Sequence, residues 1–268
     1  MTTLRGSSFF LIFLLGVPLS GQMSITRIPA GMFSGPRPMH ELVQRYQQVY
    51  GKEVTYEDPI LSWPSDFDPA TNPKALSFVL RDTVTQDSDL ATVLARAVES
   101  YNLESGGPRF RIMTSKLGVH VIPSEVRDSS GTWTSARNPL DQRIEIPRQA
   151  RTIAEHFQIF REAVAHASQL KMYEFGPIWT KPNSLDYFYG SKGSFVWGTD
   201  GSVIARDAFI ELLSQSETTF YWSVTCDRSP GTVDISCRMI LANLSSTNEQ
   251  PDGKFSFKAI QFDRRPAK

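Results

Sequence analysis

The chain repeats itself. Ile28-Pro29 and Ile146-Pro147 stand about 118 positions apart, and each closes a short alternating run, residues 24–28 and 142–146, ahead of an amphipathic helix. Met39, Leu42, Val43, Tyr46 and Tyr50 recur with the spacing of one helical stripe. Ile153, Phe157, Phe160, Val164 and Ala167 make the matching stripe, entered through Thr152 with Glu155 three residues on, a capping-box pattern. A strand-like run follows each helix, residues 53–56 and 171–175, and then a long loop rich in Pro and aromatics, residues 57–74 and 176–193. Ser77-Phe78-Val79 and Ser194-Phe195-Val196 come next, about 117 apart, so the register holds across the whole half. A second helix follows in each copy, carried by Leu90, Val93, Leu94, Ala97, Val98 and Tyr101 and by Ala205, Ala208, Phe209, Leu212 and Leu213. Asp87 or Ser88 offers a cap for the first of these. Two β-like runs close each copy, residues 109–113 with 118–122 and 219–226 with 233–243.

Strands alternating with helices ordinarily point to a doubly wound parallel sheet. With only two helices per copy and a hairpin-like ending, the pattern instead fits an α+β protein of two tandem small mixed-sheet domains, each with about two helices packed on one sheet face. Residues 124–141, with Ser129-Ser130-Gly131-Thr132 and Arg137-Asn138-Pro139, read as a linker. The expected organisation is a signal peptide over residues 1–22, a first domain over 23–123, the linker, and a second domain over 142–268. Residues 254–262 alternate Phe255 and Phe257 before shifting phase to Ile260 and Phe262, a candidate last strand.

The leader expectation rests on Arg5 followed by an apolar run, residues 9–17, which is too short for the roughly 20 residues of a membrane span but suits a secretory h-region. An exported chain carries Cys226 and Cys237 into an oxidising compartment. They flank a turn signal, residues 227–232, so either a disulfide across the hairpin or two unpaired strand thiols result; metal is the weakest reading, because no His sits at ligand spacing. Twenty-eight Lys+Arg against 28 Asp+Glu leave no cationic excess to neutralise phosphates, which argues against a nucleic-acid partner.

The run ending in Ile28-Pro29-Ala30-Gly31, the first helix, Tyr50-Gly51 and Val54-Thr55-Tyr56 resemble the short N-terminal domain of secretins and TonB-linked proteins, a small βαβ-type module. The strand around residues 76–80 and the helix over 90–101 fit the rest of that module. The whole chain is also similar to uncharacterised exported bacterial proteins with Tyr-Glu-Asp-Pro after the first helix, here Tyr56-Glu57-Asp58-Pro59, and with Ala205-Arg206-Asp207 opening the last helix. The resemblance implies a periplasmic or secreted domain that docks other proteins or senses a ligand without catalysis of its own.

No Gly-x-Ser-x-Gly elbow, phosphate-binding Gly-rich loop or His-Glu-x-x-His pair occurs in the sequence. His40, His120, His156 and His166 are scattered, and read as solvated or core-edge residues. Glu57 and Asp58 are adjacent in extended chain and so point to opposite sides, unsuited to flanking one bond. Arg206 and Asp207 read as surface or interdomain ion-pair residues. Candidate binding residues lie in the two loops: Trp63, Phe67, Trp179, Tyr187, Phe188 and Tyr189, held among prolines that lower the cost of presenting a surface. The plain alternative has each Trp stapling its loop to its own domain. The sequence thus leads to the expectation of a non-catalytic envelope binding module, needing no cofactor, whose partner is an envelope protein or cell-wall ligand. The alternative is an exported hydrolase with its site in the cleft between the copies.

Overall fold

The computed structural model describes residues 28–50, 53–60, 76–85, 88–128, 130–175, 193–215, 220–228 and 235–243. The leader run, the candidate tail strand, and all six aromatic candidates, Trp63, Phe67, Trp179, Tyr187, Phe188 and Tyr189, lie outside the described residues.

The first half runs β1 (Gly31–Gly35), α1 (Pro38–Tyr50), β2 (Val54–Glu57), β3 (Leu76–Leu80), α2 (Leu90–Glu104), β4 (Arg109–Ser115) and β5 (Gly118–Arg127). The second runs β8 (Gln149–Thr152), α3 (Ile153–Ser168), β9 (Lys171–Phe175), β10 (Ser194–Trp197), α4 (Ala205–Ser214), β12 (Phe220–Arg228) and β13 (Ile235–Asn243). Between and beside them lie β6 (Trp133–Ser135), a 3-10 turn (Pro139–Asp141), β7 (Arg143–Ile144) and β11 (Val203–Ile204). The class is α+β.

Local chemistry sets the helix starts. Thr152 and Glu155 form the reciprocal capping box, with Thr152 N–H donating to Glu155 Oε2 at 2.8 Å and Glu155 N–H to Thr152 Oγ1 at 3.3 Å. In α2 the cap is Asp89, which accepts from Thr92 N–H, and not Ser88, which instead accepts from Thr85 N–H in the preceding turn; Asp87 lies outside the described residues. The first strand among the described residues is Gly31–Gly35, paired antiparallel with β3; of the expected run at 24–28 only Ile28 is described, and it bridges antiparallel to Val84.

The halves match in register. Ser34 pairs with Ser77 as Thr152 pairs with Ser194. Val54 on β2 pairs parallel with Val119 on β5, as Met172 on β9 pairs parallel with Cys237 on β13. In each half the middle strand is also antiparallel to a hairpin partner, β4 or β12. The chain leading into β2 passes so close to the β4–β5 turn that a Cβ on Gly118, at φ +113°, would lie 2.2 Å from the Glu53 carbonyl oxygen, so glycine is required there.

The two sets of three strands join in one sheet, ordered β4-β5-β2-β12-β13-β9, with β6 added to β5. The seam is β2 against β12, parallel, with Ser223 opposite Tyr56 and Val224 opposite Glu57. Each half buries its own core, and the cores occupy opposite faces. Val54, Tyr56, Phe110, Val119 and Val121 face α1 and α2. Trp222, Val224, Cys226, Cys237 and Met239 face α3 and α4, joined by Met113 and Leu117 from the first half. From one half to the next, strand direction and helix-bearing face both reverse while the lateral order of strands is kept. That relation is a two-fold screw along the hydrogen-bonding direction. Residues 124–141 finish β5, return as β6, and insert Leu140, fully buried, into the second core.

Candidate functional site

The densest set of ionisable side chains among the described residues lies at the β2–β12 seam. Extended backbone at the end of β2 sends Glu57 to the face of the second core and Asp58 the other way, and both are buried at 0% and 1% exposure. Arg206, in the first turn of α4, clamps Glu57 with Nε and Nη2 at 2.9 and 2.6 Å and reaches Asp141 with Nη1 at 2.6 Å. Trp222 Nε1 adds a bond to Glu57 at 3.3 Å. Arg206 is itself 4% exposed. Burial opposes its charge, and Glu57 and Asp141 outweigh burial and hold its pKa above the usual arginine value.

On the other side, Arg37 Nε donates to Asp58 at 2.6 Å, and its Nη2 donates to Asp227 at 2.7 Å and to the Cys226 carbonyl at 2.9 Å. Asp58 also accepts from Tyr56 Oη at 2.6 Å and from Cys226 N–H at 2.9 Å. Burial pushes the Asp58 carboxyl up, against the opposing pull of Arg37 and of these donors. Burial, and next the Asp58 charge, raise Tyr56. Asn138, fully buried, donates to the Asp58 carbonyl at 2.8 Å, so the segment between the halves is tied to the same point.

Two histidines flank the cluster. His40 stacks on Tyr56 and bonds Ser223 Oγ at 3.2 Å; burial, then the Arg37 charge, lower its pKa to about 4. His120 stacks on Trp222, bonds Thr55 Oγ1 at 2.8 Å and Ser115 Oγ at 2.6 Å, and is lowered to about 4 by burial and then Arg206. The Ser115–His120 contact has the reach of a nucleophile and base. However, the orienting group is a hydroxyl, the imidazole is a weak base, and Ser115 Oγ already accepts Leu117 N–H at 3.0 Å in the hairpin turn. His156, on α3, donates through Nε2 to the Phe195 carbonyl at 2.9 Å, while His166 on the same helix is exposed.

The seam therefore gathers carboxylates and arginines that the sequence leaves far apart, and it pairs them. A carboxylate bonded bidentately by arginine and packed under Trp222 has its oxygens committed to those donors, so this arrangement ties the two halves of the sheet together. Arg206 makes the ion pair between halves expected from sequence, and Asp207 is exposed. Cys226 and Cys237 stand directly opposite in the β12–β13 register and are bonded. No cluster of three or more His, Cys, Asp or Glu side chains suited to a metal occurs among the described residues.

A second feature lies at the far edge of the sheet. A shallow depression of about 310 Å³, mostly apolar, runs between α2 and β4, lined by Ala95, Val98, Glu99, Asn102, Leu103 and Ile112. Leu103 is 76% exposed there. Nothing in sequence marked it, because Leu103 falls outside the stripe that sets the buried face of α2.

Compared with protein-family models, curated proteins and solved structures, the chain shows no match.

Proposed function

We propose that the protein is an exported, non-catalytic interaction module of the bacterial cell envelope that docks a protein partner or cell-wall ligand. The observation that carries this reading is the state of the seam: the buried carboxylates there, Glu57 and Asp58, are each bonded by an arginine and built into the contact between the halves. Support for export comes from the leader-like run at residues 9–17 and from the Cys226–Cys237 bond, which persists in oxidising compartments. Among the described residues no helix is long and apolar enough to cross a membrane. The pattern resemblance to the secretin and TonB short N-terminal domain points the same way, and the aromatic loops around Trp63 and Trp179 are the proposed contact surfaces.

The test is a pull-down from an envelope fraction and from peptidoglycan fragments, repeated with Trp63→Ala and Trp179→Ala. Binding that weakens in these variants supports the loops as contacts; equal binding in both removes them. A panel of ester, amide and glycoside substrates tests the hydrolase alternative. Turnover that disappears in Glu57→Gln while the fold is retained would replace the binding reading.

A further inference from the structure

We propose that the outer edge of β4 is a strand-addition site for an extended segment of a partner protein in which apolar and acidic residues alternate, the apolar ones seated against α2 and the acidic ones beside Arg111. This rests on the interaction reading above and adds to it a second surface, apart from the aromatic loops, and the chemistry of the partner.

The backbone comes first. β4 borders the sheet, and among the described residues its one strand partner is β5. Val119 N–H donates to the Glu53 carbonyl at 3.0 Å on the β2 side, so Gly118, His120 and Ile122 are the β5 residues whose backbone turns toward β4. Their partners in register are Ser115, Met113 and Arg111, which leaves Phe110, Ile112 and Thr114 with backbone groups turned outward. Pro123, opposite Phe110, has no N–H to give, in keeping with that phase. At Phe110 the outward groups are met: its N–H donates to Asn102 Oδ1 at 2.9 Å and its carbonyl accepts from Asn102 Nδ2 at 2.8 Å. One side-chain amide of α2 thus makes the pair of bonds that a neighbouring strand would make, and it closes the edge at that point. The N–H and C=O of Ile112 and Thr114 face out in the same way, and among the described residues no strand covers them.

The two faces of this open stretch differ in chemistry. Ile112 lies on the α2 face, where with Ala95, Val98 and the exposed Leu103 it lines the apolar depression. Glu99 lines it too, so a second carboxylate is disfavoured on this face. Arg111, one residue back, projects to the opposite face and is exposed, and Lys116 is exposed in the turn beyond the other end of the stretch. Neither has an ion pair among the described residues, whereas Arg109 is taken by Glu125 and lies over Trp133. An added strand places successive side chains on alternate faces, so a segment offering apolar groups to α2 and carboxylates to Arg111 suits both at once. Main-chain bonds then supply affinity, and the two faces supply the choice of partner. Charged residues commonly guard a sheet edge against pairing. A guard would explain Arg111, but not the uncovered Leu103 and the apolar depression beside it. A second copy of this chain fits less well, because its β4, Arg-Phe-Arg-Ile-Met-Thr-Ser, carries cations and no acid.

The test uses the purified full chain and labelled peptides: Ser-Val-Asp-Val-Glu-Val-Ser, its analogues with Leu or Phe at the apolar positions, and counterparts with Lys in place of both acids. Fluorescence anisotropy gives the affinities, and amide NMR shifts locate the contact. The expected result is that at least one acidic peptide binds with Kd below about 1 mM and about fivefold or more tighter than its Lys counterpart. The largest shifts then fall at Ile112 and Thr114. Leu103→Lys removes apolar contact and Thr114→Pro removes one outward N–H, a position where an edge strand accommodates proline; each weakens binding by about fivefold or more. Arg111→Glu reverses the preference in favour of the Lys peptides, a gain that only a folded chain can show. No binding by any acidic peptide, equal binding by the Lys counterparts, or shifts that map away from β4 overturn the proposal. So does a dimer of the chain that is lost in Thr114→Pro, since a second copy is then the occupant. Where the peptides fail, the pull-down above separates the two readings: a partner still captured leaves the interaction reading in place, and none captured removes both.

Discussion

At the scale of single residues, Glu57 and Arg206 carry the largest electrostatic stake. Removing one partner strands a charge in a dry seam, whereas removing both leaves only packing to repair. Arg206→Met is therefore expected to destabilise by about 3–5 kcal/mol, and Glu57→Gln/Arg206→Met by less than Arg206→Met alone, read from chemical denaturation midpoints. A double variant that loses the sum of both single effects would show that the pair is not coupled. His40 and His120 add a pH dependence. Both are held neutral with pKa values near 4, against about 6.5 in an unfolded chain. Between those values the unfolded state binds more protons, so stability is complete above about pH 6.5 and falls toward pH 4, by up to about 3 kcal/mol for each histidine. Asp58, pushed up by burial, works in the opposite direction at the acid end. His120→Phe, which keeps the stack under Trp222, should flatten the slope over that window. An unchanged slope would show that His120 does not carry it.

At the scale of elements, much of the fold could be read before the structure because helix signals are local. The offset that maps Met39, Leu42 and Tyr46 onto Phe157, Phe160 and Val164 is the one the strand registers obey, and Thr152 caps α3 where its spacing to Glu155 says it should. β1 was not legible, since Gly-Met-Phe-Ser-Gly has weak strand propensity and forms only against β3. Nor was the seam: Tyr-Glu-Asp-Pro reads as the end of a strand and a turn, and the groups that let Glu57 and Asp58 be buried are remote in sequence. The β12–β13 hairpin supplies one of them, because Cys226 holds both Asp58 and Arg37 through its backbone. The disulfide closes a short loop, with a sequence separation of 11, and its loss by Cys226→Ser/Cys237→Ser is expected to cost about 2–4 kcal/mol. Because that bond sits against the Asp58 cluster, the same variant should weaken the seam itself, seen as faster amide exchange at position 226 and at Asp58 N–H than along the rest of β12. Uniform loss of protection along the strand would separate the disulfide from the seam.

At the scale of the molecule, a repeated unit ordinarily suggests two bodies that fold apart, yet the sheet runs unbroken across both. The second core borrows Met113 and Leu117 from the first half, His120 lies against Trp222, and Leu140 plugs in from the segment that joins the halves. Neither half can be withdrawn without exposing Trp222, Val224 and the end of β2, and without taking Arg206 from Glu57, Cys226 N–H from Asp58 and Asp227 from Arg37. Hydrophobic burial and charge pairing are here satisfied by the same contact, which makes the halves mutually dependent. Unfolding should accordingly be a single transition. Tryptophan fluorescence reports on Trp222 at the seam and on Trp197 in the second core, and far-UV circular dichroism reports on the helices of both halves; the two curves are expected to coincide. If they separate into two steps, the seam is a contact between already folded units. In that case the sheet is held together by docking, and Arg206→Met should bring the first step to lower denaturant while leaving the second where it was.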